Sequence, residues 1–280
     1  TRLNSSAASD VYKRQLKTAL RPIAVSCLAL SALSACVTTP QADTSVADAA
    51  PEASFSLSNA VKYQRQSKEY PLLSAYVYKQ ATAALPATFE NQQTPAVIVL
   101  DVDETVLDNS LYQEERESKG LGYSSESWNA WIKREEATLV PGVDKFLATV
   151  IERGGKIALI TNRDKTLDSH TWNNLLAVGL PLTPSNTCIM GRLPADKESV
   201  DHKYIVNDKD RRRNAVKQGS PACSLTNDTA SKGWNKPHNI IMQIGDNIED
   251  FQGVTQEDAY LPAILPEVGT SLFILPNPMY

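Results

Sequence analysis

Apolar positions along this chain gather in short unbroken runs, separated by longer stretches with helical spacing. The first run, Ala96-Val97-Ile98-Val99-Leu100, has no alternation and is too short for a helix. It predicts a strand buried on both faces, the usual state in a parallel sheet. Comparable runs recur at 156–160, 188–190, 239–245 and 271–275. Between them, spacing predicts helices at 143–152 and 166–178, with Gly154-Gly155 and Gly179 as stops, and a basic segment at 208–218 opens another. Residues 57–85 also have helical composition, and Pro71 predicts either two helices or one kinked one. Strands alternating with helices predict an α/β fold with a parallel sheet and right-handed crossovers. A polar stretch at 110–140 carries Tyr112, Tyr123, Trp128 and Trp131 and fits a small cap. Residues 219–238 are low in apolar content and predict an irregular insertion.

Three of the strand-like runs end in acid or hydroxyl. Asp101 and Asp103 follow the first, Thr161 follows 156–160, and Asp246 and Asp250 follow 239–245. In an open parallel sheet the carboxyl ends of the strands form the ligand crevice, so these side chains converge there. Asp101 and Asp103 are two apart and share a face if the strand continues. Carboxylates so close repel, unless a cation lies between them or they differ in protonation. A solvated acidic loop explains an isolated D-x-D, but not the acids and hydroxyl that end two further runs. Hard oxygen ligands that leave room for water suit Mg²⁺ bridging to a substrate phosphate. The segment Asp208-Lys209-Asp210-Arg211-Arg212-Arg213 offers the complementary cation.

The N-terminal region has a different character. Residues 1–15 lack periodicity and are read as flanking sequence rather than fold. Residues 16–35 are read as a signal peptide: Lys13, Arg14, Lys17 and Arg21 lead into an apolar stretch at 23–33. That stretch is shorter than the roughly 20 residues a bilayer span needs. Leu33-Ser34-Ala35-Cys36 resembles a bacterial lipoprotein box, with Cys36 as the lipidated residue anchoring the chain to a membrane. Residues 36–56 are rich in Ala, Ser, Thr and Pro and predict a flexible tether, leaving 57–280 as the folded domain. Without residues 1–35 the chain holds 23 Lys+Arg against 31 Asp+Glu. Such a balance excludes polymeric nucleic acid as a partner, because that affinity rests on many cationic phosphate contacts. Cys188 and Cys223 remain and would be free to pair in an exported protein, though spacing alone does not bring them together. His170, His202 and His238 form no metal spacing and are given no role.

Two motifs carry a family resemblance. Asp101-Val-Asp103-Glu104-Thr105-x-Leu107-x-Asn109-x-x-Tyr112, with Ile241-Met-Gln-Ile-Gly-Asp246-Asn247-Ile-Glu-Asp250-Phe251, resembles the paired signatures of the class C (bacterial lipoprotein) acid phosphatases of the haloacid dehalogenase (HAD) superfamily. The resemblance covers about 57–280, and Val102 and Ile248 are aliphatic departures from it. It implies a HAD-like (Rossmannoid) parallel sheet flanked by helices, with a small, mainly helical cap at about 108–140. It further implies Mg²⁺-dependent hydrolysis of small phosphomonoesters, nucleoside monophosphates foremost, through an aspartyl-phosphate. By the same resemblance Asp101 is the nucleophile, Asp103 the general acid/base, and Thr161 a donor to the phosphoryl group. Mg²⁺ is implied at Asp101, the Asp103 backbone carbonyl and Asp246, with Asp250 assisting. The family's phosphate-binding lysine falls on Lys209 or Arg212, with the balance toward Arg212 as a bidentate clamp. Asn162 is read as orienting its neighbours at the substrate. Tyr112, Trp128, Trp131 and Tyr280 either stack on an aromatic leaving group or pack the cap. Glu104 and Asp108 are read as structural. A sugar-phosphate phosphatase or phosphotransferase, and a non-catalytic ligand-binding lipoprotein on the same fold, are the alternatives.

Overall fold

The computed structural model describes residues 56–90, 93–198, 207–223 and 233–279. The flank, signal, nearly all of the tether, Cys36, His202 and Tyr280 lie outside these residues. Two helices come first, α1 (Asn59–Gln66) and α2 (Glu69–Ala84). The break between them falls at Ser67 and Lys68, not at Pro71, which sits in the first turn of α2. Proline is tolerated there because the first backbone N–H groups of a helix have no intrahelical acceptor.

Five strands form one parallel sheet: β1 (Ala96–Leu100), β4 (Lys156–Asp164), β5 (Thr187–Arg192), β6 (Asn239–Gly245) and β7 (Leu272–Ile274), in spatial order β5-β4-β1-β6-β7. A second ladder pairs β2 (Leu107–Asp108) with β3 (Thr138–Leu139), antiparallel. Every residue of β1 is buried, as its unbroken apolar run requires. Alternation then sorts the strands into two cores. Ile98, Leu100, Ile157, Leu159, Met242, Ile244 and Phe273 face Tyr78 of α2 and Phe146, Leu147 and Val150 of α5 (Val143–Glu152). Val97, Val99, Ala158, Ile160 and Met190 face Trp234 and Val216, the latter on α8 (Asp208–Gln218). Full burial of each such aliphatic side chain contributes about 1.5–3 kcal/mol.

The topology positions the chemistry. The chain builds β1, β4 and β5 outward on one side, then returns to lay β6 against the other side of β1. That reversal opens a crevice at the carboxyl ends of β1 and β6, where α/β sheets hold ligands. Helices α3 (Ser110–Ser118) and α4 (Ser125–Arg134) follow β2. α6 (Asp168–Ala177) joins β4 to β5, and the short helices α7 (Pro194–Glu198) and α9 (Leu261–Ile264) complete the described set. No helix among the described residues is long and apolar enough to cross a membrane.

Cys188 and Cys223 form a disulfide that ties β5 to the segment following α8. Closing a loop of 35 residues restrains the unfolded chain by about 3–4 kcal/mol in the chain-entropy description. Reduction is therefore expected to lower the melting temperature. Calorimetry with and without reductant checks this, and an unchanged transition would contradict it.

Candidate active site

β1 delivers Asp101 to the middle of the sheet edge, where its backbone N–H donates to Ile244 O of β6 at 3.0 Å. Asp246 leaves the end of β6, and Asp250 returns to it from a single 3-10 turn, Ile248–Asp250. Asn247 caps that turn, and the Asp250 carboxylate accepts the Asn247 N–H at 3.0 Å. Gly245 permits this approach: a Cβ there would lie 2.0 Å from Asp250 Oδ2. One ligand atom from each of Asp101, Asp246 and Asp250 falls within 4.8 Å of the others.

The electrostatics are strained and directional. Burial, with further contributions from Asp250 and Asp246, raises the Asp101 pKa well above the usual carboxylate range despite the neighbouring Lys209. Burial and then Asp250 raise Asp246 from 3.8 to about 6, although Asn277 and Thr105 donate to its two oxygens at 2.8 and 3.0 Å. Glu104 is raised by burial and then by Asp103. It accepts the Asn109 N–H at 3.0 Å from a left-handed backbone conformation, φ 54°. A crevice holding so many carboxylates repels a phosphate dianion unless a cation joins it. The donor set of three clustered carboxylates fits a divalent metal.

A raised carboxyl pKa means that the fold binds its proton more tightly than the unfolded chain does. Stability present below the unfolded value is therefore lost as pH rises through about 6 for Asp246. A bound divalent cation removes that penalty. Added Mg²⁺ is expected to raise the melting temperature strongly at pH 7 and little at pH 4.5. Equal shifts at both pH values in a thermal scan would contradict a site built from these carboxylates.

α8 brings the cations. Lys209 Nζ donates to Asp101 Oδ1 at 2.6 Å and to Asp250 Oδ1 at 2.5 Å. Burial opposes the ammonium form, but the two carboxylates outweigh it and the Lys209 pKa rises. Arg212 does not reach this cluster; of the two candidates for the phosphate-binding cation, Lys209 is the one beside Asp101. Arg212 lies one turn deeper, where its guanidinium donates to the backbone carbonyls of Thr161 and Met190 and to Asn162 Oδ1. Arg213 is spent on Asp210, at 2.6 Å, and on the carbonyl of Glu249. Arg211 is exposed.

Thr161 is fully buried, and its hydroxyl donates to Asp103 Oδ2 at 3.3 Å. The Asp103 side chain does not join the metal-type triad. Arg163 and Asn109 hold it instead, leaving only its backbone carbonyl for the implied metal contact. Thr105 and Asn109 stand in the first motif without an assigned role, and Arg163 and Asn277 have none from sequence either. Arg163 was detectable, because Thr161 and Arg163 are two apart and the strand runs on to Asp164 instead of ending at Ile160.

Two cavities meet at Asp103 and Asn162, which line both. The smaller, about 250 Å³, contains Asp101, Lys209, Asp246 and Asp250. The larger, about 470 Å³, lies between Tyr123, Trp128 and Asn129 on one side and Arg192, Leu193 and Lys197 on the other. Trp128 thus presents a ring to open space. Tyr112 and Trp131 are buried instead, which favours the cap-packing alternative for both. The Tyr112 hydroxyl pairs with Ser127 Oγ, and Trp131 Nε1 donates to Asn109. Their rings pack together at 6.1 Å and form part of the core.

Comparison with known proteins agrees with this arrangement. Residues 24–280 match the family described as HAD superfamily, subfamily IIIB (Acid phosphatase). Among solved structures, the class C acid phosphatase from Bacillus anthracis superposes with a TM-score of 0.61 at 29% identity, covering 79% of this chain and 83% of that one. A crystal structure of the Bacillus anthracis class C acid phosphatase with tungstate bound gives 0.60 at 28% identity, with 79% and 83% covered. Acids gathered at the ends of β1 and β6, a lysine between them, and a family match spanning the whole described fold lead to one conclusion: the chain belongs to the HAD superfamily, subfamily IIIB, and is an acid phosphatase that hydrolyses phosphomonoesters.

Proposed function

We propose that this phosphatase hydrolyses small organic monoesters, nucleoside monophosphates among them, with Mg²⁺, through an aspartyl-phosphate on Asp101. The observation that carries the reading is the pair of cavities joined at Asp103: an acidic chamber of phosphate size opens into a larger one walled by Trp128 and Tyr123. An aromatic wall binds the flat face of a nucleobase. Tungstate, a tetrahedral oxyanion, is bound in one of the similar solved structures and supports a phosphoryl pocket here.

Asp101, Asp246 and Asp250, with the Asp103 carbonyl, would hold the metal. When bound, it would lower the charge on the phosphoryl oxygens that otherwise repels an attacking carboxylate. Lys209 adds a second positive charge beside Asp101. Asp101 attacks phosphorus, and the ester oxygen departs with the bonding electron pair. Asp103, entering protonated, gives that oxygen its proton. Asp103 then takes a proton from the water that attacks phosphorus, and the Asp101 carboxylate is released. Proton donation by a carboxylic acid favours an acidic optimum.

The exported, lipid-anchored state remains part of the proposal. The Cys188–Cys223 disulfide supports an oxidising compartment.

The test compares phosphate release from nucleoside monophosphates and sugar phosphates at about pH 5–6, where an aspartic acid stays partly protonated. It is run with Mg²⁺ and with chelator, for the parent chain and Trp128→Ala. The expected result is metal-dependent turnover, with a KM for nucleotides raised about tenfold in Trp128→Ala by loss of base stacking and little change for sugar phosphates. Faster turnover of sugar phosphates, insensitive to Trp128, would favour the sugar-phosphate alternative.

A further inference from the structure

We infer that Arg163, together with Asn109 and Trp131, forms a brace that fixes the orientation of the Asp103 carboxyl group. Three N–H donors converge on one oxygen: Arg163 Nε at 2.9 Å, Arg163 Nη2 at 2.7 Å and Asn109 Nδ2 at 2.9 Å, all to Asp103 Oδ1. The other oxygen, Oδ2, receives the Thr161 hydroxyl at the longer distance of 3.3 Å. A carboxylate oxygen has about two lone-pair sites, so these three donors saturate Oδ1. Oδ2 is therefore the oxygen left with room for a further partner.

The brace is over-determined. Arg163 is 1% exposed, and its Nη1 donates to Thr171 Oγ1 at 3.2 Å. Trp131 Nε1 and Arg163 Nη2 both donate to Asn109 Oδ1, at 2.8 and 3.2 Å. Indole and guanidinium are donors only, so they fix the Asn109 amide with its NH₂ toward Asp103. The Asn109 backbone N–H is held by Glu104 at 3.0 Å. Such a fork needs arginine, because an ammonium offers a point charge without the planar pair of donors. Arg163 is a positioning residue: it acts through Asp103.

The inference rests on the reading of Asp103 as proton donor. In that step the P–O ester bond breaks, its electron pair goes to the leaving oxygen, and the Asp103 proton follows. An alkoxide depends heavily on this proton and a p-nitrophenolate hardly at all. The step up to leaving-group departure is reported by kcat/KM, so the readout is kcat/KM for alkyl phosphates against p-nitrophenyl phosphate.

Arg163→Met is expected to lower kcat/KM for alkyl esters about 100-fold and for the aryl ester less than about tenfold. Arg163→Lys should recover little of the loss. Trp131→Phe removes the indole donor together with part of the ring volume, leaves Arg163 in place, and should show the same selectivity, smaller in size, which covers failure of Arg163→Met to fold. Folding and Mg²⁺-dependent thermal shifts are verified for each variant. Equal losses for both ester classes in folded, metal-binding Arg163→Met and Trp131→Phe would overturn the brace. Asp103→Asn, run alongside, separates the two ideas. Its own loss should be selective for alkyl esters, and an unselective loss there would overturn the acid assignment and the brace with it.

Discussion

Asp101→Asn is expected to lower phosphate release by on the order of 10⁴-fold or more while the chain remains folded. Two effects combine in this substitution. The amide is a far poorer nucleophile toward phosphorus than a carboxylate, and it removes one charge from the clustered acids at the ends of β1 and β6. The fold should survive, because Asp101 is a strained group whose ionised form is disfavoured by burial and by Asp250 and Asp246. Replacing it with a neutral isostere relieves repulsion. Steady-state rates, with thermal unfolding as the control for folding, check this. Residual turnover within tenfold of the parent would remove Asp101 from the nucleophile position.

Lys209→Met carries the second large effect. Lys209 contributes the ammonium that contacts both Asp101 and Asp250. Loss of a preorganised charge at developing phosphoryl charge typically costs about 10²–10³-fold in rate. Removing it also leaves its carboxylate partners uncompensated, so the metal-free variant should melt earlier than the parent and regain stability when Mg²⁺ is added. Arg212→Met provides the contrast. Its guanidinium holds strand carbonyls rather than the acid cluster, so it should lose stability more than phosphate recognition. A greater fall in kcat/KM for Arg212→Met than for Lys209→Met, both folded, would contradict the placement of the phosphate-binding charge.

The difference between these two cations explains what the sequence could and could not yield. Lys209, Arg212 and Arg213 lie at spacings of three and four, so all three project from one side of α8, and all three are buried. Periodicity identifies that side but not how far along the helix the sheet edge lies. The structure places the edge at the first turn, so Lys209 meets the acids and Arg212 meets the backbone one turn below. The carboxylates themselves were legible because apolar runs announced β1 and β6, and the polar residues that ended the runs had to emerge at the crevice.

Arg163 was obscured by the opposite circumstance. The burst Thr161-Asn162-Arg163-Asp164 resembles a strand terminus, yet β4 continues through it with a register shift, burying Thr161 and Arg163 and exposing Asn162 and Asp164. A polar sequence can occupy a buried strand when its partners are polar too, and here they are Asp103, Asn109 and Thr171. Tyr112 and Trp131 were ambiguous because aromatic residues serve a cap core and a stacking slot equally well. Helical phase cannot separate Trp128 from Trp131, which are three apart and share one side of α4; the structure does, with Trp128 lining the larger cavity and Trp131 buried in the core.

The most direct test of the covalent route through Asp101 is product partitioning. A set of monoesters with different leaving groups is hydrolysed with Mg²⁺ and a small alcohol acceptor, and the ratio of transferred to free phosphate is measured for each. A shared aspartyl-phosphate predicts one ratio for every substrate, because the leaving group has departed before the acceptor and water compete. A ratio that changes with the leaving group would mean direct attack by water or alcohol and would contradict Asp101 as the nucleophile.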